Sequence, residues 1–430
     1  MKKKFKKLLV IITKRNRLEL IFYFIIVVIL LFYFGFEKII DITTFSTVVI
    51  VTTLSFLIGK IGNRLYNRVE DTVKLTDDYD GLVKRYSAET MITHQNGDTN
   101  EAVVFPVIKT ADLYDKTVTI CDDPEHEYQL PQLVVACFAE LIDAHKTSEI
   151  YNNPNIRVDK WFSQGNNFAI QTGRTTYFNS MVTNRAMDYA IRKNLTIREL
   201  FECGPFLCLP EQSKLSNHLG FNGFVESSDG YIVFIVRGRN VSIAKNTIGT
   251  SVGASLKVKY ALDDNRKLSE KGLYNSMVRE IYDELSIAAE DCINVYEDKK
   301  VNIISAYRDL VEGGKPQLLF YAKTKTPKKE IEKHFFEIKI RNSKYLKDKN
   351  SSMPLDFEAY KLKSPQEQKM LYDGDRMIWF SKDDLLSDQT EIYPDKMIVN
   401  DKKYDMVPSA SASVVMLIDW LKKEQYDKGN

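Results

Sequence analysis

The sequence predicts a membrane-anchored protein in which an N-terminal two-helix transmembrane hairpin is followed by a cytoplasmic α/β (α+β) domain. Three observations predict this fold class. A basic N-terminus precedes two apolar runs, a link of a few residues separates these runs, and residues 60–430 alternate between strand-like and helix-like patterns. Strands that alternate with amphipathic helices are typical of a mixed α/β domain.

The basic residues are concentrated at the N-terminus. Residues 1–17 contain eight Lys or Arg and no acid, which leaves 52 basic residues against 58 acidic ones in residues 18–430, a net charge of −6. Proteins that bind duplex nucleic acid present a basic surface to its phosphates. We therefore expect no duplex nucleic acid among the partners of this protein.

Two apolar segments follow the basic N-terminus. Residues 18–36 carry a single charge, at the edge, and nineteen residues at about 1.5 Å each span the roughly 30 Å core of a bilayer. Residues 42–59 are richer in Thr, and the link "EKIID" allows only a tight hairpin. Basic residues flank both outer ends, and positive flanks stay in the cytoplasm. The pattern predicts a multi-pass protein of the inner (cytoplasmic) membrane, with both termini cytoplasmic and the lipid bilayer as a partner.

Changes in pattern divide the rest of the chain. Residues 60–155 are interpreted as a juxtamembrane and N-terminal cytoplasmic subdomain, 156–214 as an α/β lead-in, 215–395 as the main domain and 396–430 as a C-terminal helix. Hydrophobic periodicity predicts a hairpin over residues 156–178 and a strand over Tyr231–Val236. It also predicts helices over Gln129–Lys146, Leu273–Leu285 and 411–426. Five scattered cysteines and five separated histidines do not have the spacing of a zinc site.

The stretch "REIYDELSI", residues 279–287, places three carboxylates on one face of a predicted helix. Glu280, Asp283 and Glu284 stand at positions i, i+3 and i+4, which are neighbours on a helix surface. Such a cluster suits Mg²⁺ that bridges phosphates. The same residues also fit a surface helix with a simple Arg279–Asp283 pair, or a helix that supports a nucleotide without hydrolysing it.

The order of elements around this helix resembles the Nudix fold. A strand that ends in arginines, a Gly-rich turn, the acidic helix, further strands and a late "WFSKDDL" follow one another over residues 215–386. In the family, the pattern Gly-x5-Glu-x7-Arg-Glu-U-x-Glu-Glu-x-Gly-U, with U a bulky apolar residue, binds divalent metal and cleaves a nucleoside diphosphate linked to a group X. The resemblance implies a Nudix-like nucleotide-sensing domain over residues 215–395.

The match to the family pattern is partial. The acidic positions fall on Glu280, Asp283 and Glu284, which would be the catalytic and metal-binding residues of an active enzyme. Three other positions of the pattern hold different residues in this chain. The upstream Glu is replaced by Lys271, the first Gly by Asn265 and the late Gly by Ser286. Because a lysine repels Mg²⁺, the interpretation favours a degenerate site with no catalytic residue and no metal. Magnesium belongs only to the enzymatic alternative.

Basic and hydroxyl side chains beside the Gly-rich turn suit the phosphates of a nucleotide. Guanidinium groups and backbone N–H groups near glycines bind phosphate oxygens well, and a tyrosine beside an arginine suits a base. A solvated strand rim is the alternative interpretation. The predicted nucleotide-binding residues are Arg237, Arg239, Lys245, Asn246, Thr250, Ser251, Lys257, Tyr307 and Arg308. A second polar stretch, "TGRTTYFNSMVTNR", contains further candidates for base and ribose contacts, among them Tyr177, Asn184 and Arg185.

Two membrane spans joined to a Nudix-like domain resemble the transmembrane effectors of bacterial cyclic-oligonucleotide anti-phage systems (CBASS). The resemblance implies that the soluble domain binds a cyclic oligonucleotide, that copies then form a homo-oligomer, and that the hairpins disrupt the inner membrane and kill the cell. The alternative is a membrane-tethered, Mg²⁺-dependent pyrophosphohydrolase of nucleoside diphosphate-X substrates. A plain structural anchor without a ligand is a third possibility.

Overall fold

The computed structural model describes seven stretches of the chain: residues 75–97, 102–143, 152–192, 195–237, 247–293, 301–340 and 376–429. The chain divides into two units, residues 1–71 and 72–430, and every described residue belongs to the second. Residues 1–17, the two predicted spans and the predicted binding residues Arg239, Lys245 and Asn246 lie outside the described residues.

The predicted membrane-anchored fold class and multi-pass inner-membrane location are wrong for the part of the chain that the structure describes. No helix in that part is long and apolar enough to cross a bilayer. Its longest helix, Pro408–Gly429, packs apolar residues against a sheet and carries charged residues such as Lys422 and Glu424 in its last turns. The fold class is corrected to a mixed α/β fold, and the predicted membrane association is withdrawn.

Nine strands of the described residues form a central sheet in the order β11-β10-β9-β15-β14-β3, with β12 paired to β9, β13 to β15 and β16 to β10. The pairs are antiparallel except β9–β15, in which Gly220 lies opposite Gln317 and Val225 opposite Ala322. The bounds are β3 Val107–Asp112, β9 Gly220–Glu226, β10 Tyr231–Val236, β11 Ile248–Gly249, β12 Val252–Ser255, β13 Cys292–Ile293, β14 Asn302–Asp309, β15 Lys315–Thr324 and β16 Arg376–Ser381.

Smaller sheets surround the central one. A three-stranded sheet has the order β4-β6-β5, in which β5 and β6 form an antiparallel hairpin. A second three-stranded sheet has the order β17-β18-β19, and β1–β2 and β7–β8 are isolated pairs. The bounds are β1 Thr93–Gln95, β2 Ala102–Val104, β4 Thr117–Glu127, β5 Pro154–Gln164, β6 Asn167–Thr176, β7 Ala190–Arg192, β8 Leu195–Thr196, β17 Glu391–Tyr393, β18 Lys396–Val399 and β19 Lys402–Asp405.

The helices that matter for the site lie on the two faces of the central sheet. The acidic helix α7 begins after the N-cap Ser269 and ends before the C-cap Ser286, and the C-terminal helix α10 covers the opposite face. The bounds are α1 Tyr79–Arg85, α2 Gln132–Ala136, α3 Phe138–Asp143, α4 Tyr177–Met181, α5 Ile197–Phe201, α6 Val258–Ala261, α7 Glu270–Leu285, α8 Lys328–Phe335, α9 Lys382–Leu386 and α10 Pro408–Gly429, with a 3₁₀ turn at Asn184–Ala186 and a π-helical turn at Phe336–Ile340.

Two hydrophobic cores form because neighbouring residues of a strand point to opposite faces. In β9, Phe221 packs with the core that contains Met277 and Ile281 of α7. Phe224 of the same strand packs with the core that contains Leu417 and Leu421 of α10. The central sheet is thus covered on both faces, which fits its long apolar strands.

Strand β5 connects the β4-β6-β5 sheet, which we call the side sheet, to the start of β9 and the end of β12. The backbone N–H of Ile156 donates to Leu256 O (3.0 Å), and Leu219 N donates to Ile156 O (2.9 Å). Beyond these bonds, Asn155 lies opposite Lys257 and Arg157 lies opposite His218 in isolated antiparallel bridges. This junction brings polar side chains of β5 beside the strands that carry the predicted site.

Several predicted elements are confirmed. The hairpin over residues 156–178 and the strand Tyr231–Val236 form as predicted, and the helix predicted at Leu273–Leu285 begins one turn earlier, at Glu270. The single helix predicted over Gln129–Lys146 is instead two short helices, α2 and α3. The apolar period continues across Cys137, but its backbone leaves the helical range (φ −108°, ψ 6°).

Candidate functional site

Three polar stretches that are far apart in sequence meet at one end of the central sheet. The parallel strands β9 and β15 both begin at this end, and the antiparallel strands β10 and β14 both finish there. This topology places four titratable residues at the same end of the sheet. His218 precedes β9, Arg237 follows β10, Asp309 ends β14 and Lys315 begins β15. We call His218, Arg237, Asp309, Lys315, Glu312 and Arg185 the strand-end cluster.

A buried carboxylate lies at the centre of this cluster. Glu312 Oε2 is 3.3 Å from Lys315 Nζ and 3.6 Å from Arg185 Nε, and none of the three side chains is more than 11% exposed. Arg185 also donates to the Tyr177 hydroxyl (2.7 Å) and lies over the ring of that tyrosine, 5.3 Å from its centroid. Residues from α4, the 3₁₀ turn and the β14–β15 turn are therefore joined in one network.

The electrostatics of the cluster favour an anion. Burial alone would raise the pKa of Glu312, but the charges of Lys315, Arg185 and Arg237 outweigh it and lower that pKa. Burial, with the neighbouring Glu312 carboxylate, raises the pKa of Asp309 to about 7. Below neutral pH the ionised Glu312 therefore lies among the three cations Lys315, Arg185 and Arg237. An anion that binds there balances the excess of positive charge.

The imidazole of His218 is the uncharged member of the cluster. Burial, together with the charges of Lys315 and Arg185, holds the pKa of His218 well below its ordinary value of 6.5. Its Nε2 lies 2.9 Å from the Ser255 hydroxyl. A neutral imidazole both donates and accepts one hydrogen bond, so His218 adds polar contacts without adding charge.

A second polar network lies beside the cluster, on the face covered by α10. Asn222 Nδ2 donates to the Tyr307 hydroxyl (2.6 Å), and the Thr250 hydroxyl, which donates to Val252 O (2.7 Å), lies 3.3 Å from Asn222 Oδ1. The Tyr307 hydroxyl also lies 3.2 Å from Ser413 Oγ of α10. An Arg237 Nη atom lies 3.5 Å from the position that a Cβ on Gly253 would take. The structure thus brings the predicted residues Arg237, Thr250 and Tyr307 together around Asn222.

The acidic helix α7 holds its key carboxylate in an ion pair. Glu280 is 2% exposed at its side chain, and its Oε1 lies 2.6 Å from Lys257 Nζ. Burial raises the pKa of Glu280 although Lys257 opposes this. Asp283 pairs with Arg279 at 3.2 Å. The upstream Glu270, one residue off the family register, accepts from the backbone N–H of Ile120 (2.8 Å).

This donor set does not fit a divalent cation. The ammonium group of Lys257 occupies a carboxylate oxygen that Mg²⁺ would need, and it would repel a second cation at that distance. Among the described residues, no group of three or more His, Cys, Asp or Glu is arranged to hold a metal ion. We therefore derive no chemical step through magnesium.

Two predicted binding residues have structural roles instead. The Ser251 hydroxyl accepts from the backbone N–H of Val225 (2.9 Å) and donates to Val233 O, so it joins β9 to β10 in the core. Arg308 is buried, and its Nε donates to Gly314 O (3.0 Å) in the turn between β14 and β15. The hydrogen bonds of both residues thus serve the sheet and its turn, outside the strand-end cluster and the Asn222 network.

Sequence reasoning missed Asn222, His218 and Glu312. Asn222 had a signal, since it is a polar residue at an inward position of the apolar strand "GFNGFVE", where the alternation predicts a core residue. The local sequence gives no signal for His218 and Glu312, because both lie in turns whose position depends on contacts between distant segments.

No family model matches this chain, and no curated protein is significantly similar to it. The resemblance to Nudix proteins and to anti-phage effectors therefore rests on the residues around "REIYDELSI" and on the order of the elements. It stays a prediction.

Proposed function

We propose that this protein is a sensor that binds a cyclic oligonucleotide at the strand-end cluster without cleaving it. Binding then drives self-association of the chain as part of an anti-phage response. The observation that carries the proposal is the convergence of Arg237, Arg185 and Lys315 from three distant stretches at one end of the central sheet.

The chemistry of the cluster supports a phosphate-bearing ligand. Arginine and lysine side chains in a largely desolvated site form charge-assisted hydrogen bonds to phosphate oxygens. Asn222, Thr250 and Tyr307 add neutral donors and acceptors beside Arg237. A cyclic oligonucleotide carries both the negative charge and the sugar and base groups that such a mixed surface accommodates.

The ion pair between Lys257 and Glu280 supports binding rather than hydrolysis. Cleavage of a nucleoside diphosphate linkage by a Nudix-type helix requires its acids to hold a metal, and here the buried acid is paired with an amine. Self-association follows from binding only if the associated state binds the ligand more tightly than the single chain. The anti-phage setting is supported by the resemblance alone.

The decisive experiment is titration calorimetry of the full chain with cyclic dinucleotides and cyclic trinucleotides, with and without EDTA. The nucleotides are recovered afterwards and checked by chromatography. We expect saturable binding, unchanged nucleotide and no effect of EDTA. Arg237→Gln should weaken binding about tenfold or more, because it removes a charge-assisted contact. Lys403→Gln is the matched control, since Lys403 is exposed and pairs with the exposed Asp405.

Three outcomes would contradict the proposal. Absence of binding by every cyclic nucleotide would reject the sensor, and so would an Arg237→Gln variant that binds like wild type. Mg²⁺-dependent cleavage of nucleoside diphosphate-X compounds, lost in Glu284→Gln, would establish the hydrolase instead. A plain structural role predicts no thermal shift, whereas a ligand at 100 times its dissociation constant adds about 2.7 kcal/mol to the free energy of unfolding.

A further inference from the structure

A row of buried polar side chains runs from the strand-end cluster to the acidic helix. In the two bridges between β5 and its neighbours, Asn155 lies opposite Lys257 and Arg157 lies opposite His218. Directly opposite residues of an antiparallel pair point to the same face. The same holds for Asn155 and Arg157, which are two residues apart in one strand. Asn155, Arg157, His218 and Lys257 therefore share one face, and we call these four the polar seam.

The seam contains polar atoms that have no hydrogen-bond partner in the part of the chain that the structure describes. Asn155 is 1% exposed, and neither its Oδ1 nor its Nδ2 has a partner. His218 is fully buried, and its Nδ1 has none either, because Ser255 contacts the other ring nitrogen. The large majority of buried side-chain polar atoms are paired in folded proteins. A buried amide with both ends unpaired therefore points to a partner supplied by a ligand.

We infer that Asn155 binds the edge of a nucleobase of the ligand, with Lys257 beside it as a phosphate contact. This inference rests on the proposed function and adds to it the group that selects the base. A carboxamide offers one donor next to one acceptor. Adenine presents the complementary pair, an amino donor beside the N7 acceptor, whereas guanine presents two acceptors at the same edge. The expected ligand is therefore a cyclic oligonucleotide that contains adenine.

Lys257 is the partly exposed member of the seam and lies opposite Asn155. Its side chain is 26% exposed, whereas Asn155 is enclosed, and the two residues lie opposite each other on neighbouring strands. In the ligand-free arrangement Lys257 is held by Glu280 at 2.6 Å. Entry of a base requires the lysine to leave Glu280, and a phosphate of the same ligand offers the charge that replaces the carboxylate.

The first test measures stability without any ligand. Asn155→Leu keeps the approximate size of the side chain but removes the unpaired amide, so the melting temperature should stay the same or rise. Asn96→Leu is the matched control, because Asn96 is also buried but its amide donates to Ile392 O (3.0 Å) and accepts from Ile392 N (2.7 Å). That variant should melt at a lower temperature. An equal loss in both variants would overturn the inference, and Asn155→Ala checks that any loss is not caused by overpacking.

The second test measures base preference by calorimetry of the full chain with cyclic di-AMP and cyclic di-GMP. Wild type should prefer the adenine ligand about tenfold, which is the usual effect of one bidentate base contact. Asn155→Leu and Asn155→Ala should lose this preference, while Asn96→Leu keeps it. Preference for guanine by wild type, or an unchanged preference in the Asn155 variants, would overturn the inference and leave the sensor intact. Binding of neither ligand and of no other cyclic nucleotide would reject both.

Discussion

At the scale of single residues, Arg198 shows how one buried side chain holds the loop that carries the site. Its guanidinium donates to both Asp188 carboxylate oxygens, at 2.7 and 3.0 Å. It also donates to the carbonyl oxygens of Leu310 (2.7 Å) and Val311 (2.8 Å), next to Glu312. Because the side chain is 2% exposed, these bonds are shielded from water.

Arg198→Met should lower the free energy of unfolding by about 3–5 kcal/mol, because it leaves a carboxylate and two carbonyl groups without their donor. Urea denaturation measures this change. Arg279→Ala is the control, since the exposed Arg279–Asp283 pair contributes less than about 1 kcal/mol. A loss for Arg198→Met no larger than that of the control would show that the loop is held by other contacts.

The protonation of Asp309 predicts an unusual dependence of stability on pH. Burial and the neighbouring Glu312 raise the pKa of Asp309 from its ordinary value of 3.8 to about 7 in the folded protein. Between these values the folded state keeps a proton that the unfolded state has released. The contribution of Asp309 to the free energy of unfolding therefore falls as pH rises through this range, by up to about 1.4 kcal/mol per pH unit.

Asp309→Asn should remove this slope, since an amide oxygen still accepts from the backbone N–H of Val311 (2.9 Å in wild type). Urea denaturation at several pH values between about 4.5 and 7.5 compares the two proteins. Asp405→Asn, at a side chain that is 68% exposed, serves as the control and should behave as wild type. The idea fails if the Asp309 variant keeps the wild-type slope.

At the scale of elements, the acidic helix α7 ends in a conformation that favours glycine. Ser286 caps the helix with φ 61° and ψ 29°, the left-handed region that residues with a Cβ seldom adopt. Its hydroxyl is buried and has no hydrogen-bond partner among the residues that the structure describes. The Nudix pattern has a glycine at this position, and glycine adopts this conformation without strain. This chain carries a serine there.

Ser286→Gly should raise the free energy of unfolding by about 0.5–1 kcal/mol, because it relieves the backbone strain and removes the unpaired hydroxyl. Thermal or urea denaturation measures the gain. At the other end of the helix, Ser269→Ala should cost about 1 kcal/mol, since the Ser269 hydroxyl accepts from Gly272 N (3.2 Å). Destabilisation by Ser286→Gly would mean that the serine has a contact that offsets its strain.

Local patterns explain which parts of these elements were predictable. The period of apolar residues and the turn residues are local, so the β5–β6 hairpin, strand β10 and helix α7 could be predicted. The ion pair of Lys257 with Glu280 could not, because it depends on how the end of β12 lies against α7. Sequence reasoning assigned Lys257 to a phosphate and Glu280 to a metal, and the structure pairs them with each other.

At the scale of the whole molecule, residues before position 215 are part of the central sheet and of the core that it shares with α7. Strand β3 pairs with β14, and Ile156 of β5 lies in the same core as Met277 of α7. The pattern of the sequence could not reveal this, because strand pairing between distant segments leaves no local signal. The order of the strands and the position of the strand-end cluster follow from such pairings.

A chain that begins at residue 72 should therefore fold cooperatively, whereas a chain that begins at residue 215 should not. The shorter chain lacks β3, the side sheet and Arg185, so it exposes one sheet edge and part of the apolar core. Circular dichroism and thermal melts compare the two. A sharp, wild-type-like transition of the shorter chain would show that residues 215–430 fold independently.

The parallel pair β9–β15 also sets the order of events when the protein folds. Its partners, residues 220–226 and 317–323, are separated by helices α6 and α7 and by the five strands β10 to β14. A nascent chain must therefore complete most of this domain before β9 finds its neighbour. Contacts so distant in sequence make folding slow and leave Phe221, Phe224 and Val225 exposed meanwhile. Synthesis at low temperature or with chaperones should accordingly increase the yield of native protein.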